Sequence, residues 1–175
     1  MRDINWRFQL VLLASIPFQF IFHELAHWLA GTLQGYDMIM TLNTVKFAID
    51  EPPEMAQHIV TAAGPLFTIL VGVFAWWQLR RDKHVFWYAA LYYAVFMRLV
   101  AMLISASNPN DEARLSIAAG LGTWTLPAIV VLGLLALTID AARRRGIGWK
   151  PNLGAYFTSS IGVTAIVFAD RLLFG

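Results

Sequence analysis

Five consecutive residues, His23-Glu24-Leu25-Ala26-His27, carry the side chains best suited to chemistry. On an α-helix, positions i and i+4 lie about 40° apart around the axis and roughly one turn (~6 Å) apart along it. Two imidazoles at that spacing hold one metal ion from one face. Glu24 follows His23 directly and is close enough to reach a water on the open side of that ion. The pattern is that of zinc-dependent peptide hydrolysis, with the glutamate as general base. The stretch lies inside an apolar run from Phe8 to Leu33, where an ionisable side chain is expensive and marks function by default. The competing reading is a chance pattern whose polar groups are satisfied by neighbouring helices.

A catalytic zinc takes three protein ligands and keeps a fourth position for water. The chain has no cysteine, so the third ligand is a nitrogen or oxygen donor. Asp111, in the turn Ser107-Asn108-Pro109-Asn110-Asp111-Glu112, is the best placed by topology, with Glu112 and His58 as alternatives. A carboxylate would lower the net charge of the buried ion and ease its burial. Asp111 also reads as a solvated turn residue or as the N-cap of the following helix.

These side chains need elements to hold them. Hydrophobic residues make up 58% of the 175 residues and charged residues 14%, against about 25% charged in a soluble domain. That is the composition of an integral membrane protein, and it predicts an all-α polytopic bundle forming one domain over 1–175. Five transmembrane helices are expected at 6–33, 58–79, 85–106, 115–142 and 153–174. The first resembles a signal peptide superficially, but its length and its His/Glu motif predict that it is retained. Pro17 lies upstream of the motif and is expected to bend that helix. Arg98, mid-span, must face the interior, water or a partner, and a structural pairing is favoured over catalysis. Between helices one and two, Met38, Met40 and Leu42 alternate with Ile39, Thr41 and Asn43, which reads as a strand or short hairpin. It is either a plain surface connector or an edge that pairs with an extended substrate.

Arg2 and Arg7, the Arg80-Arg81-Lys83 turn and Arg143-Arg144-Arg145 recur at one end of successive spans. The positive-inside rule then makes the N-terminus cytoplasmic and the C-terminus external. The motif, the 36–55 loop and the Asp111 turn fall together on the opposite side. The small net charge of +2 comes from loop lysines and arginines and does not suggest nucleic acid.

His23-Glu24-Leu25-Ala26-His27 in a membrane helix, Ala63-Gly64-Pro65-Leu66 in the next, and an Asn-Pro-containing Asp turn after a third resemble the site-2 protease family of intramembrane zinc proteases. The resemblance covers about residues 8–116 and leaves the last two helices outside. Here Asn110 stands between Pro109 and Asp111, Glu112 replaces a glycine, and Thr68 stands where members often have Asn. No PDZ-like insertion is present. The resemblance implies zinc held by His23, His27 and Asp111, with Glu24 catalytic. Asn108, Gly64 and Pro65 would position the substrate, a protein or peptide within the lipid bilayer. The implied reaction is hydrolysis of a peptide bond in or near a substrate's transmembrane segment. The alternative is a non-catalytic membrane zinc-binding protein with a structural or partner-binding role. A metal transporter would show further ligands along other spans, and a di-iron site would need more carboxylates and histidines.

Overall fold

In lipid, every backbone N–H and C=O of a spanning segment must be paired internally, so long apolar runs become helices. The computed structural model describes residues 6–81 and 84–175. In chain order the elements are α1 (Trp6–Leu33), β1 (Met38–Met40), β2 (Val45–Phe47), α2 (Glu54–Leu79), α3 (Val85–Ile104), α4 (Asp111–Ala118), α5 (Thr125–Arg145) and α6 (Trp149–Phe174). Five of them, α1, α2, α3, α5 and α6, are long and apolar enough to cross a membrane. The chain is a helical multi-pass membrane protein with a β-hairpin between its first two helices.

The boundaries differ from expectation in informative places. The expected fourth span at 115–142 is two helices, because Gly120 (φ 72°) and Gly122 (φ 74°) adopt left-handed backbone between them. The Leu121 N–H donates to the Ser116 carbonyl at 2.9 Å and Gly120 N–H to Ile117 at 2.9 Å, a glycine-based helix stop. α2 begins at Glu54 rather than His58, directly after Pro52-Pro53, and α6 at Trp149 rather than 153. Asn110, not Asp111, caps α4: its side-chain oxygen accepts from the Ala113 N–H at 2.8 Å. Arg2 and Lys83, which the orientation argument uses, lie outside the described residues.

Side-chain contacts fix the relative directions. Phe8 packs on Tyr88, Gln9 bonds Thr158, and the Tyr88 hydroxyl donates to Asn152 at 2.6 Å, so α1, α3 and α6 run parallel. Trp76 donates to Asp140 at 2.8 Å and Arg145 to the Leu79 carbonyl, so α2 and α5 run together. α2 runs against α1. The core between them is built from Phe8, Leu12, Ile16, Tyr88, Leu91 and Tyr93, all nearly inaccessible. Lipid tails are as apolar as these side chains, so close packing and interhelical hydrogen bonds carry the association.

The hairpin is antiparallel, pairing Met38 with Phe47, Ile39 with Lys46 and Met40 with Val45. Its burial alternates as a two-residue period requires: Met38, Met40, Val45 and Phe47 face inward, while Ile39 and Lys46 are exposed. Met38 seats its sulfur on Gly31, where an added Cβ would make the methionine shift, and the Asn43 N–H donates to Asp170 of α6 at 3.2 Å. The hairpin is thereby fixed at the end of the bundle opposite Arg80, Arg81 and Arg143–Arg145.

Candidate metal centre

His23 and His27 occupy the buried face of α1, at 2% and 6% exposure. Each ring is fixed from its far side by α2. The Nδ1 of His27 lies 2.6 Å from the Val60 carbonyl oxygen, which only accepts, so Nδ1 carries the proton. The Nδ1 of His23 lies 2.9 Å from Thr68 Oγ1. That hydroxyl donates to the Gly64 carbonyl at 3.2 Å, so it accepts from His23. In the neutral rings both Nε2 atoms then present lone pairs to the same point.

Asp111 arrives from α4. Its Oδ2 lies 3.4 Å from His23 Nε2 and 3.3 Å from His27 Nε2, and the two Nε2 atoms lie 3.2 Å apart. Oδ1 accepts from Arg114 at 2.6 Å. The Arg114 guanidinium and the place of Asp111 at a helix N-terminus favour its carboxylate anion. With the rings neutral, three acceptor atoms face one another at close range, an arrangement a cation would reconcile. A four-coordinate ion with bonds of about 2.0–2.1 Å has donor–donor edges of about 3.3–3.4 Å. The observed triangle has nearly those sides. His23, His27 and Asp111 form a group that could hold a metal ion, the only such group among the described residues.

The glycine of α2 makes room for it. A Cβ on Gly64 would strike His27 Nε2 and stand 2.6 and 2.7 Å from His23 Cε1 and Nε2. Pro65, buried beside it, has no N–H to give the Thr61 carbonyl one turn earlier. Thr61 lines a cavity of about 760 Å³ that opens onto the site. Glu24 (7% exposed), His27 and Asp111 line the same cavity, with Asn108, Val45 and Phe47 among its walls.

β2 turns its unpaired edge outward. Ala48 N–H donates to the Asp37 carbonyl and Thr41 N–H to that of Thr44, each at 2.9 Å. Antiparallel pairing alternates residue by residue, so residues 44, 46 and 48 point their backbone groups toward β1. The N–H and C=O groups of Val45 and Phe47 point off the free edge.

The sequence-expected residues separate clearly. His23, His27 and Asp111 converge, Glu24 adjoins them, Gly64 lies beneath the imidazoles and Asn108 lies on the cavity wall. The two alternative third ligands lie elsewhere. His58 faces Glu54 at 3.9 Å, and Glu112 is paired with Arg98 at 3.0 Å. Sequence reasoning did not give roles to Thr68, the Val60 carbonyl or Arg114. Thr68 follows Gly64 by four residues and Val60 precedes it by four, so all three share one face of α2, and that spacing was the available signal. No protein-family model matches the chain, and neither does any curated protein or solved structure.

Proposed function

We propose that this protein is an intramembrane zinc metalloprotease of the site-2 protease type. The observation that carries the reading is the triangle of His23, His27 and Asp111 donor atoms, with sides of 3.2–3.4 Å, where α4 meets the buried face of a membrane span beside Glu24. Two nitrogens and one carboxylate oxygen with an open fourth side match the donor set of catalytic zinc. Zinc held there would supply Lewis acidity, lowering the pKa of a water and polarising a carbonyl.

The chain's own residues do the rest. Glu24 takes a proton from the attacking water as the new C–O bond forms. It gives that proton to the amide nitrogen as the C–N bond breaks, releasing a carboxylic acid and an amine. A membrane helix has its amides already paired, so the substrate must unwind locally before attack. The outward N–H and C=O groups of Val45 and Phe47 would pair with the unwound segment by strand addition. Asn108 and the freed Thr61 carbonyl offer further polar partners along the cavity.

The test uses purified protein reconstituted with a model membrane peptide. Wild type is expected to hold about one zinc per chain, lost in His23→Ala and Asp111→Ala. Glu24→Gln should retain the metal and lose cleavage by about 10²–10⁴-fold. Cleavage by Glu24→Gln at the wild-type rate would refute the assignment. Metal retention without cleavage of any membrane peptide by wild type would favour the structural zinc protein instead.

A further inference from the structure

We infer that the buried Arg98–Glu112 pair is a positioning device that aims Asp111 at the two imidazoles. The inference rests on the metal reading of the site. Arg98 of α3 and Glu112 of α4 are each 3% exposed, and Arg98 Nη1 donates to Glu112 Oε1 at 3.0 Å. The pair makes one contact where a guanidinium and a carboxylate can make two. Arg98 Nε and Glu112 Oε2 remain buried without a hydrogen-bond partner. A buried ion pair so incompletely satisfied is poor as a source of stability, and well-packed apolar residues often serve as well or better. Its value lies in direction.

α4 has eight residues and packs on α2 and α5, and the Arg98–Glu112 pair is its charged tie to α3. Its buried residues are Glu112, Ala113 and Ser116. The Asn110 N–H donates to Ser105 Oγ at 3.0 Å and ties its start to the end of α3, while Leu126 N–H bonds Ser116 Oγ at 3.3 Å. Neighbouring helical residues project about 100° apart. With Glu112 held against α3, Asp111 is turned toward α1. A site of this kind tolerates about 0.5 Å or 10–20° of misplacement, and a two-turn helix freed of its ion pair to α3 needs only a small rotation about its axis to exceed that.

The test is Co²⁺ binding to the purified full chain in detergent, by chelator competition and visible absorption, beside the thermal midpoint of the metal-free protein. Glu112→Gln and the apolar pair Arg98→Leu/Glu112→Leu are each expected to bind Co²⁺ about 10–100-fold more weakly, as for other losses of support behind metal ligands, with an altered spectrum. Asn152→Ala, which removes the tie from α6 to Tyr88, should lower the thermal midpoint and leave Co²⁺ affinity unchanged. Wild-type affinity in either folded α3–α4 variant would overturn the inference and leave the metal site standing. An equal loss in Asn152→Ala would overturn it too, by tracing the effect to general destabilisation. If Glu112→Gln fails to fold, the apolar pair decides, since it strands no charge. A wild type that binds no Co²⁺ would overturn the metal reading and this inference with it.

Discussion

Gly64→Ala separates the metal reading from ordinary helix energetics, because the two predict opposite signs. In a helix interior, replacing Gly by Ala favours the helix by about 0.5–1 kcal/mol. Here the added methyl would strike His27 Nε2 and stand 2.6 and 2.7 Å from two atoms of the His23 ring. To reach ordinary contact at 3.4 Å that ring must retreat by about 0.7–0.8 Å. It is held on the other side by its 2.9 Å bond to Thr68. Metal–ligand distances tolerate about ±0.2 Å, so a shift of this size takes a nitrogen out of range. The expected loss is at least ~100-fold in zinc affinity, or about 2.7 kcal/mol. Gly133→Ala in α5 is the matched control, since a Cβ there meets nothing within 4 Å. Chelator competition on the purified proteins gives the affinities, and thermal unfolding of the metal-free forms gives the stabilities. Gly133→Ala should bind zinc as wild type does. A Gly64→Ala protein within about 3-fold of wild-type affinity would refute the claim that the imidazoles converge over Gly64 to hold a metal.

Thr68→Val keeps the shape of the side chain and removes the acceptor for His23 Nδ1–H. Zinc affinity should fall about 10–100-fold, and Thr68→Ser should restore most of it. Val45→Pro removes an N–H that points off the free edge of β2, whereas Lys46→Pro removes one directed at β1. If the edge receives substrate, Val45→Pro raises KM for a membrane peptide about 5–10-fold, the equivalent of one net hydrogen bond, with zinc content unchanged. Equal cleavage by Val45→Pro and wild type would remove the hairpin from substrate binding.

The parts legible in the sequence were those set by local period and chemistry. The i, i+4 histidines, the two-residue alternation at Met38–Met40 and the Asn-Pro turn before Asp111 each declare themselves within a few residues. The break between α4 and α5 did not, because the run from Leu115 onward stays apolar while the backbone turns at Gly120 and Gly122. Hydropathy reports solvent preference, and a left-handed glycine is invisible to it. Arg98 and Glu112 were each noticed, one as a charge seeking a partner and the other as a possible ligand. Their pairing needed the angle between α3 and α4, which no local pattern encodes. Thr68 stood out only as a departure from the related pattern, and its partner lies 45 residues away.

The triangle also answers the reading of His23 and His27 as a chance motif satisfied by neighbours. Were the group only a buried hydrogen-bond cluster, each polar atom should find a complementary partner. The Nδ1–H groups do, donating to the Val60 carbonyl and Thr68 Oγ1. With neutral rings, the three atoms left, two imidazole nitrogens and a carboxylate oxygen, are all acceptors at 3.2–3.4 Å from one another. A shared proton lies on one line between two of them and leaves the third facing a lone pair. A metal ion would satisfy all three at once, beside a cavity lined by Glu24. The helix facing the site contributes a glycine at the one place where a methyl would occupy that space. Donor pattern, vacant volume and the neighbouring carboxylate come from α1, α2 and α4, so a chance pentapeptide in α1 does not account for them.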